Sequence, residues 1–283
     1  MNIIGVYRKF PTKIECLAHL EAIRWHGKTN CPYCKSLRVT PMAKEFRYHC
    51  NECNTSFSVT VGTIFHNTKL DLQKWFLAIA LILNAKKGLS ARQLGRDLEV
   101  TKDTAWFMSM RIRKAMTDQG ELLRGIIEMD ETYIGGKPRK GDPAPKRGRG
   151  TDKTPVVGMV ERNGNVKAEV SQILTSKRLM ALVRRNVDTK NSSLMTDEYR
   201  AYSRMKTILP HFTVNHQETY AVGDIHTNTI EGFWALLKRG IVGQYHKVSV
   251  EYLQTYINEF AYRFNNRKNE NVFEKTLYRA MGV

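Results

Sequence analysis

The sequence predicts a chain in two parts: a small metal-bound ribbon and a helical segment, then an α/β core of strands covered by helices. Three observations predict it. Four of the five cysteines stand as "CPYC" and "CNEC", a C-x2-C-x15-C-x2-C pattern from Cys31 to Cys53. From Asp71 to Met116 apolar residues recur at helical spacing. After Gln119-Gly120 the pattern changes to short apolar strands alternating with helical stretches, "GIIEMD" being the first.

The bulk numbers narrow the function. The 283 residues allow about two domains. Lys and Arg total 45 against 27 Asp and Glu, a net charge of +18. Such an excess repels itself without an anionic partner, which makes double-stranded DNA the leading candidate. A membrane is not expected as partner. The most apolar run, Trp75 to Leu83, falls far short of the roughly 20 residues a bilayer needs. "MNIIGVYRKF" is no signal peptide. Paired cysteines suit a reducing compartment, so the expected location is the cytoplasm.

The elements follow in order. Residues 1–66 hold the N-terminal segment and the ribbon. Zinc takes four thiolates tetrahedrally, and two C-x2-C turns joined by a hairpin supply them from Cys31, Cys34, Cys50 and Cys53. Cys16 stands alone and reads as a packed thiol, and His49 reads as surface. Residues 67–120 form a helix-turn-helix. Asp71 to Ala85 suits a buried helix. Ser90 caps the next helix and Thr101 the one after, across a short link at Glu99-Val100. In the last helix Ala105, Met108, Ile112 and Met116 face the core. Lys102, Asp103 and Thr104 lie at its exposed start, where a recognition helix meets DNA. Arg111, Arg113 and Lys114 are candidates for phosphate contacts.

Residues 121–283 form the α/β half. Two strands flank a turn at Asn163-Gly164-Asn165, and a helix capped by Ser176 follows. "NSSLMTDEYRAY" reads as a strand running into a helix, "HFTVNHQETYAV" as a short strand. A long helix begins near Thr227, and "VEYLQTYINEFAYRFNNR" is another, with Arg263 and Arg267 toward DNA. Residues 135–155, joining the first two strands, are rich in Gly, Pro, Lys and Arg. There Lys137, Arg139, Lys140, Lys146, Arg147 and Arg149 are candidates to clamp DNA phosphates.

Three acids stand at element ends: Asp130, Asp197 and Glu231. Single acidic residues are most often solvated. Three from separate segments can converge on two divalent cations, which stabilise the attacking and leaving oxygens of a phosphoryl displacement. Hard oxygen ligands suit Mg²⁺ or Mn²⁺. Lys238 lies seven residues past Glu231, about 10 Å along the helix, and with Arg239 offers cations to a DNA backbone. Glu128 shares strand parity with Asp130 but lies about 6.6 Å further back, whereas Glu131 points to the other face.

The ordered set "CPYC…CNEC", "FSVTVGTIFH", "KKGLSARQLGRDLEVTKDTAWFMSMRIR", "MDETYIGG", "TDEYRAY", "HTNTIEGFWALLKRGIVGQYHKVS" and "NEFAYRFNNR" resembles the ISXO-like insertion-sequence transposases. These are DDE enzymes with an N-terminal zinc ribbon. The resemblance runs from Phe10 to Arg267. It implies a ribonuclease H-like core with a mixed sheet flanked by helices. It also implies binding to terminal inverted repeats, then strand cleavage and strand transfer into target DNA. Asp130, Asp197 and Glu231 take the places of the three acids, and Lys238 that of the trailing lysine. Members generally act as dimers or larger assemblies on paired ends. Two other readings use the same features: a ribonuclease H-like nuclease or resolvase without strand transfer, and a DNA-binding regulator without catalysis.

Overall fold

The computed structural model describes residues 1–135, 151–214 and 226–282. They divide into two compact units, Met1–Met116 together with the segment from Asn269, and Thr117–Lys268.

The first unit opens with α1 (Ile3–Lys9) and α2 (Lys13–Trp25). Thr12 and Glu15 close a reciprocal capping box at the head of α2. The ribbon follows as an antiparallel sheet of β1 (Val39–Met42), β2 (Arg47–Cys50) and β3 (Thr55–Phe57). Trp25, Tyr48 and Phe57 pack ring to ring behind it. Then come α3 (Leu72–Asn84), α4 (Ala91–Leu98) and α5 (Lys102–Ala115). The two caps read from sequence are present: Ser90 Oγ accepts from Gln93 N–H, and Thr101 Oγ1 from Thr104 N–H. Ala105, Met108, Ile112 and Met116 are buried as their spacing predicts.

One boundary differs from the sequence division. The sequence pattern assigns residues 121–283 to one segment, yet α9 (Val272–Met281) packs with the helices of the first unit. Phe273 joins Phe10 and Phe76 in an aromatic cluster. Glu274 accepts from Lys9 Nζ at 2.8 Å and pairs with His19 Nε2 at 2.7 Å, and His19 before Lys9 draws its pKa down to about 2. These partners lie at the opposite end of the chain, where local periodicity carries no signal.

The second unit is a sheet of β4 (Leu123–Ile134), β5 (Thr154–Glu161), β6 (Val166–Val170), β7 (Val187–Thr196) and β8 (His211–Thr213). Its order among the described residues is β6-β5-β4-β7-β8. β4, β5 and β6 form an antiparallel meander, and β7 and β8 add in parallel. This is the mixed, ribonuclease H-like sheet that the resemblance implies. One face carries Ile127, Met129, Val157 and Leu194 against Leu179, Leu182 and Val183 of α6 (Ser176–Asn186). Thr175, not Ser176, caps α6. The stretch after β7 forms two short 3₁₀ turns rather than a helix. Across the other face lie α7 (Asn228–Gly240) and α8 (Val250–Asn265). α8 also seals the open edge of β6. Gln254 and Asn265 each exchange a pair of amide bonds with its backbone, at Val170 and Ala168 and at Val166. Those groups would otherwise template further strands. No helix among the described residues is long and apolar enough to cross a membrane.

Candidate functional site

The ribbon's two C-x2-C segments make the same turn. Cys34 is followed by Lys35 at φ 65°, and Cys53 by Asn54 at φ 50°, both left-handed. Lys35 N–H donates to Cys31 O at 2.9 Å, curling the first pair of thiols toward one point. Cys34 Sγ lies 3.5 Å from Cys50 Sγ, and Cys31 Sγ 3.7 Å from Cys53 Sγ. All four sulfurs lie within 4.8 Å of one another. Four thiolates around one zinc at ~2.3 Å stand about 3.8 Å apart, so the donor set fits a structural zinc ion. Cys16 lies apart in α2, with its thiol pushed up to about 12 by burial. His49 is half-buried rather than surface, its Nδ1 3.2 Å from Ser56 Oγ.

In the helix-turn-helix the link is tight. A Cβ on Gly95 would stand 2.9 Å from Val100 O, and Glu99 takes the left-handed position that reverses the chain. Lys102 is exposed and pairs with Asp103 at 2.9 Å. Thr104 is half-buried within the Thr101 cap. Arg111 is partly committed to the fold: it donates to His66 O at 2.9 Å and lies over the Phe107 ring. Arg113 is buried at 2% exposure, which removes it as a phosphate ligand, while Lys114 is exposed. Trp106 and Phe107 are exposed on α5 and were passed over in the sequence reading. Their positions off the Ala105–Met108–Ile112 stripe were the available signal.

In the second unit, β4 deals its acids to alternate faces. Glu128 and Asp130 point toward α7, and Glu131 toward α6. Asp130 pairs in register with Gly158 on β5. A Cβ there would stand 2.5 Å from the Trp234 ring, so glycine makes room for the indole. Trp234 Nε1 then donates to Asp130 Oδ2 at 3.0 Å. Trp234 is buried and also orients this carboxylate. Burial first, and then the charges of Glu131 and Asp197, push the Asp130 pKa up to about 7.

Asp197 stands just beyond β7 and accepts from Tyr199 N–H at 3.0 Å. Glu231, exposed in the first turn of α7, accepts from Thr227 Oγ1 at 3.1 Å. It lies one turn before Trp234, on the same side of the helix. The like charges of Glu131 and Asp197 beside the half-buried Asp130 carboxylate are the condition a divalent cation relieves. Among the described residues, though, only the cysteines gather three or more donors within 4.8 Å. Asp197 lies near enough for its charge to reach Asp130, but the three acids do not close into a single-ion cage.

Glu131 accepts from the buried Tyr202 hydroxyl at 2.7 Å. Glu128 is fully buried and binds Arg162, Thr229 and Ile230. Lys238 and Arg239 are exposed in the last turn of α7. Arg263 does not face outward: it pairs with buried Glu259 at 3.0 Å. Arg267 donates to Phe264 O at 2.7 Å. Lys137, Arg139, Lys140, Lys146, Arg147 and Arg149 lie outside the described residues.

Comparison with known proteins places these features in a family. Residues 122–265 match the model of the ISXO2-like transposase domain, and residues 11–56 that of a transposase zinc-ribbon domain. A relative 28% identical over 261 residues, covering 86% of this chain and 88% of its own length, is an uncharacterized protein in transposable element ISH50 of Halobacterium salinarum. Among solved structures, the Mos1 transposase paired-end complex with left transposon end is 16% identical, covering 71% of this chain and 77% of its own, at TM-score 0.29. The mariner Mos1 paired end complex with Mg is 17% identical, covering 75% and 79%, at TM-score 0.30.

Proposed function

This chain belongs to the ISXO2-like transposase family, and we propose from that premise that it binds the ends of an insertion sequence and moves them by cutting and rejoining DNA. Asp130 carries the reading. It is a carboxylate on the α7 face of the sheet, pushed up to about 7 and oriented by Trp234, with Asp197 as a charged neighbour and Glu231 on the same helix. Asp130, Asp197 and Glu231 fit a pair of Mg²⁺ or Mn²⁺ ions, which would supply activation of the attacking oxygen and stabilisation of the leaving one.

The chain's own groups prepare the site. Trp234 holds Oδ2 of Asp130 and sets the orientation of that carboxylate. Tyr199 N–H does the same at Asp197, and Thr227 at Glu231. Lys238 and Arg239 meet the phosphates on either side of the cut. Lys102 and the start of α5 read the terminal repeat. The ribbon's zinc is structural. The protein acts in the prokaryotic cytoplasm, on DNA, as a homodimer or larger assembly that brings two ends together.

Replacing Asp130 with Asn tests the reading in the full-length protein. Cleavage of an end-bearing duplex should fall below detection with Mg²⁺ while end binding is unchanged. A D130N protein that still cuts would exclude the assignment. Supplying pre-cut ends with a target plasmid separates a transposase from a nuclease, because only the former joins the two.

A further inference from the structure

We propose that Glu128 and Arg162 are positioning residues that set the acid of α7 against Asp130. The inference rests on the reading of Asp130 and Glu231 as metal ligands.

A helix start leaves four backbone N–H groups unpaired, usually met by its own capping side chain. No side chain of its own caps α7; Thr227 donates to Glu231 instead. The cap comes from the sheet. Glu128 Oε2 accepts from Thr229 N–H at 2.8 Å and Ile230 N–H at 3.0 Å. Its Oε1 accepts from Thr229 Oγ1 at 2.9 Å and Arg162 Nε at 2.7 Å. Arg162 Nη2 donates onward to His226 O at 2.9 Å, and His226 Nδ1 stands 3.2 Å from Glu128 Oε1. One buried carboxylate thus ties β4, the end of β5 and both sides of the helix entry together.

Its place on the strand gives this a consequence. Glu128 and Asp130 are alternate residues on one face, and each grips α7: Glu128 at the first turn, Asp130 through Trp234 in the second. Glu231 lies between the two grips. The strand therefore sets the register of α7 along its axis, and with it the separation of Asp130 from Glu231. A buried ion pair is weak evidence for stability, since a well-packed apolar pair does as well. What the apolar pair lacks is direction, and four aimed donors on one carboxylate supply it.

The test uses the full-length protein with Mg²⁺ titrated in the cleavage assay, beside end binding and thermal melting. Glu128→Gln keeps the shape but weakens the grip on the backbone N–H groups and on Arg162. It should raise the Mg²⁺ concentration for half-maximal cleavage at least about tenfold, as loss of a residue that orients a ligand does. End binding should be unchanged, and Mn²⁺ should recover more of the rate than in the wild type. Thr229→Val removes only the hydroxyl donor and should give a smaller shift in the same direction; it decides the matter if the Glu128 variant does not fold. An Mg²⁺ curve superimposable on the wild type overturns the positioning role. With D130N inactive in the same assay, only that role fails. An active D130N overturns the metal-site reading beneath it as well.

Discussion

The cysteine centre and the acid centre are built in different ways. Cys31, Cys34, Cys50 and Cys53 come from two copies of one turn on a small hairpin, and the turns alone bring the sulfurs together. Asp130, Asp197 and Glu231 come from a strand, the end of another strand and a helix. Each is held by a separate donor, Trp234, Tyr199 or Thr227. The first centre stands on a piece of chain too small for a core of its own, so a zinc ion held there would be part of what folds it. The second stands on a finished sheet with a buried core on one face and two helices on the other, so an ion bound there would add chemistry rather than structure.

The largest expected effect follows from that difference. A structural zinc ion of this type contributes roughly 10–16 kcal/mol at pH 7. Cys50→Ser should abolish bound zinc and open the ribbon to protease, while the second unit's sheet keeps its hydrogen-exchange protection. Withholding Mg²⁺ should leave melting of the second unit nearly unchanged. A ribbon that stayed protected without zinc would erase the contrast.

A smaller effect sharpens the other side of it. Gly158→Ala puts a methyl 2.5 Å from the Trp234 ring and 2.9 Å from Ile230 Cδ1. Overpacking of this kind costs about 1–3 kcal/mol. Because Trp234 must move to admit the methyl, the bond to Asp130 should break, and cleavage should fall more than melting does. Equal melting and cleavage to the wild type would show that Trp234 need not touch Asp130.

The same contrast explains what the sequence discloses. Metal spacing, helix caps and strand parity are local, so the ribbon, the Ser90 and Thr101 caps and the separation of Asp130 from Glu131 are readable from residues alone. Glu128 is not, because its partners Arg162, Thr229 and Ile230 come from distant stretches and two of the donors are backbone N–H groups. Arg113 and Arg263 looked like DNA ligands because charge is visible in a sequence and burial is not. The packing of α9 with the first unit follows from an aromatic cluster and Glu274, again a long-range pairing. Distance along the chain, more than chemical subtlety, separates what is legible from what is not.

The finest distinction is between the two neighbouring acids of β4, and pH reaches it. The ordinary aspartate value of 3.8 is raised to about 7 at Asp130, so the folded state holds a proton that the unfolded chain has released. That term favours the fold fully below pH ~4, declines as pH rises, and is lost above ~7. Without added Mg²⁺ its span is on the order of 4 kcal/mol at most, and Asp130→Asn should flatten this part of the stability curve. Glu131 is the largest cause of the shift after burial. Glu131→Gln keeps an acceptor for the Tyr202 hydroxyl and removes that charge. The upper end of the decline should move down by less than about one pH unit, worth under ~1.4 kcal/mol. Cleavage should stay within a few-fold of the wild type, because the Glu131 side chain lies on the α6 face and reaches Asp130 only through its charge, and the substitution keeps the Glu131 backbone N–H bond. If Glu131→Gln stops cleavage as Asp130→Asn is expected to, the two carboxylates share one site and the alternation of β4 does not divide their work.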